Sequence, residues 1–225
     1  MIRVLNRVAP LLIAAALLFA GCTPSLVYSP SINLPPEPLN AKQVQVFGGV
    51  VEMPEARPQR APEKTARGIE GTVRVGATDW LTLQAKAWKD ISENFPGVER
   101  YGVSVSTIVA QTGDLGGFRV GVMPTGVFLS TGTDWLGGGG TLPLCVWLPD
   151  LSVLHPYAAI GPGFGYHDSK DDKWGWLIIE NWGCAALLAK HFTVNAELSL
   201  EQTFNRYDKR NDSFVTWSVN GGFLF

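Results

Sequence analysis

The residues with the most obvious chemical reach stand late in the chain, where His167 is followed directly by Asp168, with Asp171 close behind. An imidazole beside a carboxylate is the pairing of a general base with the group that orients it. A hydroxyl such as Ser130, brought alongside, would complete a nucleophilic set for cleaving an ester or a peptide bond. The candidate catalytic residues are therefore His167, Asp168 and Ser130. The competing reading is plainer: His-Asp neighbours on a surface are commonly solvated, and the mixed charges of residues 168–173 read as a solvated loop tip. His155 and His191 fall in short connections and have no such partners.

The cysteines and glycines offer less. Cys145 and Cys184 lie on two strand-like segments with a third between them. Normal strand spacing then sets their Cα atoms about 9–10 Å apart, whereas a disulfide needs less than about 7 Å. Both are expected as free, buried thiols. No His/Cys spacing suits zinc, so no metal and no cofactor is expected. The run Gly137 to Gly140 has no Lys-Ser/Thr after it and opens no helix, which argues against a phosphate loop and for a flexible external loop.

Whatever positions these groups must be built from strands. From Phe192 to Phe204 the residues Phe192, Val194, Ala196, Leu198 and Leu200 share one parity, and Thr193, Asn195, Glu197, Ser199 and Glu201 share the other. A period of two puts the sets on opposite faces of a strand; helical spacing would scatter both. The final segment alternates in the same way, with Val215, Trp217, Val219, Phe223 and Phe225 against Thr216, Ser218 and Asn220. Residues 69–75, 81–87, 101–109, 118–122 and 158–165 repeat the pattern, and 43–52, 141–148 and 174–188 do so less cleanly. The total is about ten strands.

The connections alternate too. Short ones (78–79, 112–117, 149–155, 190–191) take turns with mostly longer, more polar ones (53–68, 89–100, 132–140, 168–173, 205–212). Aromatic rings gather near strand ends, with Trp88, Tyr101 and Trp176 expected at one boundary and Trp80, Trp147, Tyr157 and Phe225 at the other. The polar parity of the strands carries Glu70, Arg74, Lys86, Arg119, Glu197 and Glu201. Both signs are present, which suits a paired polar interior network more than an open path for ions.

Composition limits the class of protein. The 225 residues carry a net charge of -2, so nothing draws the chain to nucleic acid, and only 17% are charged, few for a soluble surface. No stretch of about 18 apolar residues follows the N-terminal segment, which excludes a helical membrane protein.

The N-terminus reads as an export signal over residues 1–21, with Arg3 and Arg7 ahead of an apolar stretch at 8–20. It ends in Leu18-Phe19-Ala20-Gly21-Cys22, which resembles the lipobox of bacterial lipoproteins, with Phe19 where that family usually has Leu. The resemblance implies lipidation at Cys22, and Thr23 after it implies sorting to the outer membrane. Residues 22–42, rich in proline, are expected to be an extended, mobile tether.

Taken together, residues 43–225 resemble small bacterial outer-membrane β-barrel proteins. The implied fold is all-β: an antiparallel up-and-down transmembrane barrel of about ten strands, with eight as the alternative. The C-terminal Phe resembles the signal that the barrel-assembly machinery reads, so Phe223 and Phe225 are expected to form it. Two enzyme families share this barrel size, the lipid A deacylases and the omptin proteases, but no run of residues matches either. The leading expectation is a structural or surface-interaction barrel whose partners are outer-membrane lipid and lipopolysaccharide. A narrow channel for small solutes comes second, and a hydrolase acting on lipid A or peptides third. Nothing in the pattern sets an oligomeric state.

Overall fold

A computed structural model describes residues 32, 39–55, 64–91, 101–115, 118–123, 125–132, 135–148, 153–167, 174–189, 191–204 and 211–225. Among them there is no helix. Twelve strand segments follow one another: β1 (Val44–Glu55), β2 (Lys64–Thr78), β3 (Leu81–Asp90), β4 (Tyr101–Leu115), β5 (Phe118–Val122), β6 (Thr125–Gly132), β7 (Trp135–Thr141), β8 (Leu144–Trp147), β9 (Leu154–His167), β10 (Trp174–Ala189), β11 (Phe192–Phe204) and β12 (Asn211–Leu224).

They form ten staves, because β5 with β6, and β7 with β8, are each one stave interrupted midway. Thus β4 pairs with both β5 and β6, and β9 with both β7 and β8. Every pairing is antiparallel, and β1 closes the cylinder by pairing with β12 from Gln45↔Leu224 to Val51↔Ser218. Phe225 completes the seam: its N–H donates to the Val44 carbonyl at 2.7 Å. With closure each described stave has a neighbour on both sides, which is what a sheet in hydrocarbon requires. The barrel therefore has ten staves, as the alternation predicts, and the eight-strand alternative is set aside.

The two parities separate cleanly. Outward-facing Val46, Val50, Ile69, Val73, Leu83, Val103, Val105, Ile160, Leu198, Val215 and Val219 are all exposed. Inward-facing Thr72, Thr82, Gln84, Ser104, Ser106, Asn181, Asn195, Thr216, Ser218 and Asn220 are buried. A water-soluble sandwich would bury the first set and expose the second. This molecule is built the other way round, with apolar rows turned to its surroundings.

Three expectations need correction. Gly137 to Gly140 is not an external loop: the glycines belong to β7, paired to β6 on one side and β9 on the other. Paired on both sides, these residues satisfy backbone groups that a loop would leave to water. Trp88, Trp147 and Tyr157 are not boundary rings but lie inside the cylinder, 4%, 1% and 4% exposed. Trp80, Tyr101, Trp176 and Phe225 are exposed on the outside. Finally, Cys145 and Cys184 are both free, yet only Cys145 is buried. Cys184 is half-buried and shares the outward parity of exposed Trp182, so the two thiols lie on opposite faces of the wall.

Glu180 departs from the outward pattern. It shares the outward parity of Trp176 and Trp182, half-buried, opposite Ile160 on one neighbour and Leu200 on the other.

Candidate functional site

The lumen concentrates the polar chemistry. Alternation along β11 points Asn195, Glu197, Ser199 and Glu201 inward, and register with β10 sets Asn181 opposite Ser199. Glu197 is the hub. Its Oε1 accepts from Asn181 Nδ2 at 2.8 Å, from Ser199 Oγ at 3.4 Å and from the Ile32 backbone N–H at 2.9 Å. Its Oε2 accepts from the Tyr157 hydroxyl at 2.6 Å, with Asn195 Oδ1 a second acceptor for that hydroxyl at 3.0 Å. Four donors around one buried carboxylate is the dense hydrogen bonding that a charge out of water needs.

A second cluster lies on β1, β2, β3 and β12. Glu70 accepts from Asn220 Nδ2 at 2.9 Å, and its other oxygen lies 3.9 Å from Lys86 Nζ. Arg74 Nη1 donates to Gln45 Oε1 at 3.0 Å. Glu70, Arg74, Lys86, Glu197 and Glu201 are all buried in the lumen, while Arg119 has inward parity and is half-exposed near the start of β5.

Large rings fill the remaining space. Each occupies room left by a small neighbour: a Cβ at Gly183 would overlap the Tyr157 ring, and one at Gly222 would overlap Phe47. Trp147, Tyr157, Ile108, Met123, Cys145 and Ala159 form one buried apolar cluster, which also takes in Ile32.

Ile32 lies in the stretch read from the sequence as a tether, of which residues 32 and 39–42 are described. Ile32 is 5% exposed and Leu39 8%, and the Leu39 N–H donates to Thr82 Oγ1 at 2.7 Å. Thr82 is an inward residue at the start of β3, so the chain ahead of β1 occupies the lumen at these two positions. An apolar side chain meets an apolar pocket there, and its backbone donors find buried acceptors.

The rung that joins β6, β7 and β9 carries the hydrolytic candidates. Gly137 is the register partner of both Ser130 and His167. Ser130 and His167 thus flank one glycine across two strand spacings, about 9–10 Å of backbone. Asp168 and Cys22 lie outside the described residues. Among the described residues no group of His, Cys, Asp or Glu could hold a metal ion.

Sequence reading put the carboxylates of the lumen, with Asn195 and Asn220, on the polar face, but it did not find Tyr157, Asn181 or Ile32. For Trp88 and Tyr157 a signal was present: Trp88 shares parity with Thr82, Gln84 and Lys86, and Tyr157 with Gly161 and Gly163. Ile32 carried none.

Neither a protein-family model nor a curated protein sequence matches the chain. Solved structures do. The β domain of the Bordetella autotransporter BrkA aligns over 81% of this chain and 98% of its own, with a TM-score of 0.50 and 10% identity. The fold is that of an outer-membrane β-barrel. The barrel is also similar to Ail of Yersinia pestis (82% of this chain, 99% of that one, TM-score 0.40, 11% identity). A comparable likeness links it to OprG of Pseudomonas aeruginosa (84% and 98%, TM-score 0.40, 12% identity). At 10% identity the likeness to the BrkA domain speaks for architecture alone.

Proposed function

We propose that this chain is an outer-membrane barrel sealed along its axis, with a structural or surface-interaction role rather than a transport role. The observation that carries the reading is the filled lumen. Glu197 and its four donors, the Glu70–Lys86 pair, and the rings of Phe47, Trp88, Trp147 and Tyr157 occupy the interior of a barrel small enough for side chains to fill. The exposed Val, Ile and Leu rows supply the lipid-facing band such a barrel needs. With transport set aside, the ends of the cylinder are left to meet lipopolysaccharide and other surface partners. Lipidation at Cys22 would add an anchor, and exposed Phe223 and Phe225 are available to the assembly machinery. Planar-bilayer recording tests the reading: the full chain gives no discrete conductance steps. Steady steps would favour instead a narrow solute channel lined by Glu70, Lys86 and Glu197.

A hydrolase acting on lipid A or peptides is the second reading. What favours it is the register that puts Ser130 and His167 on one rung beside Gly137. Under this reading His167→Ala abolishes a cleavage product that the unaltered protein generates. Identical product profiles from the two proteins dismiss it.

A further inference from the structure

Among the described residues, Ile32 and Leu39 lie in the lumen yet belong to no stave. Ile32 and Leu39 precede β1, and no ladder of the barrel includes them. Each is held the way a bound peptide is held. The Ile32 N–H donates to Glu197 at 2.9 Å, and the Leu39 N–H to Thr82 at 2.7 Å, so the wall supplies acceptors for main-chain donors. The Ile32 side chain joins the buried apolar cluster of Trp147, Tyr157, Ile108, Met123, Cys145 and Ala159.

Beyond Leu39 the chain is pinned to the rim. The Ala41 N–H donates to Asp79 at 3.0 Å, and the Lys42 N–H to the Gly76 carbonyl at 2.9 Å. Lys42 has a φ of 71°, a left-handed turn that swings the chain from the lumen into β1. Gly76 has no Cβ because the Asn40 carbonyl occupies that space. This fixed corner holds Leu39 at the mouth, where its effective concentration over the lumen is high and a few contacts suffice to keep it seated.

The geometry points to two intraluminal seats for residues ahead of β1: Ile32 and Leu39 seal the barrel as displaceable occupants, and unseating them opens a path for small solutes. The inference rests on the sealed-barrel reading above and names what completes the seal. No stave has to part for the seat to empty, because the cylinder is closed by β1 and β12 without it. Emptying the seat uncovers the apolar pocket of Ile32 and frees the Glu197 and Thr82 oxygens as acceptors; with Glu70 and Lys86 also on the lumen wall, water and ions have polar groups to follow.

The test uses the full chain, an Ile32→Leu control and Ile32→Asp, each shown to be folded by a gel shift on boiling and then recorded in planar bilayers. A carboxylate at position 32 would be forced into an apolar pocket beside Glu197, which disfavours the seated state. The unaltered chain and Ile32→Leu stay silent, Ile32→Asp gives discrete conductance steps, and a synthetic peptide of residues 28–40 added to Ile32→Asp suppresses them. A folded but silent Ile32→Asp overturns the inference and leaves the sealed-barrel reading standing. Steps from the unaltered chain overturn the sealed-barrel reading itself. Should Ile32→Asp fail to fold, Ile32→Gly removes the pocket contact without adding charge. A folded, silent Ile32→Gly, or its failure to fold, shows that the segment is not a separable occupant and the inference falls.

Discussion

Glu197 shows how one residue sets the economy of an interior. A carboxylate in a lumen without bulk water is tolerated because Asn181, Ser199, Tyr157 and the Ile32 backbone all donate to it. Removing it takes one acceptor from each of those donors, the Ile32 N–H among them, and each buried unsatisfied group costs about 1–3 kcal/mol. Glu197→Ala is therefore expected to destabilise the barrel by about 3–5 kcal/mol, measured by urea unfolding in lipid vesicles through tryptophan fluorescence. Tyr157→Phe removes a single donor and costs about 1–2 kcal/mol in the same assay. Combined with Glu197→Ala it adds almost nothing, because both changes break the same contact. Gly183→Leu tests the packing side of the same site. Its side chain claims the space of the Tyr157 ring, so the variant loses about 1–3 kcal/mol.

Strands carry their own requirements. On β10 the inward parity holds Leu177, Ile179 and Asn181, which leaves Glu180 facing out between Ile160 and Leu200. A carboxylate in an apolar band is unfavourable, although less so than a lysine or arginine there. Glu180→Leu is expected to stabilise the barrel in vesicles by about 1 kcal/mol. A loss of stability would mean that the carboxylate has a partner outside this chain. The glycine run of β7 gives the complementary case. Because Gly138 and Gly139 pair with β6 and β9, a proline at Gly138 removes a ladder donor that a loop would not need. Gly138→Pro should lower the fraction of protein that shows a boiling-dependent gel shift, whereas a loop would tolerate it.

At the scale of the whole molecule the arrangement is an inside-out protein: polar residues pack the axis, and apolar rows meet the surroundings. Such a chain depends on an amphiphile to satisfy its exterior. Refolding into detergent micelles or vesicles should give SDS-resistant protein that shifts on boiling, and refolding into buffer alone should give aggregate. Soluble, monodisperse folded protein from buffer alone would contradict the reading of the exposed Val46, Val105, Leu198 and Val215 rows as lipid-facing.

The sequence by itself determined the architecture. A period-two pattern is a local property, readable from neighbours along one strand, and repeated about ten times with alternating short and long connections it leaves little but a closed barrel. It also assigned the inward carboxylates, since parity alone puts Glu70, Glu197 and Glu201 on the polar face. Parity was equally available for Trp88 and Tyr157, but their expected role as interfacial rings obscured it. What only the tertiary structure decided is long-range. That Asn181 and Tyr157 converge on Glu197 depends on register between three staves, that Gly137 to Gly140 is a strand depends on partners at both edges, and that Ile32 sits among Trp147 and Tyr157 depends on a segment returning into a cylinder that exists only after closure. Contacts made across a lumen leave no periodic trace along the chain, because the residues that make them are neighbours only once the wall has closed around them.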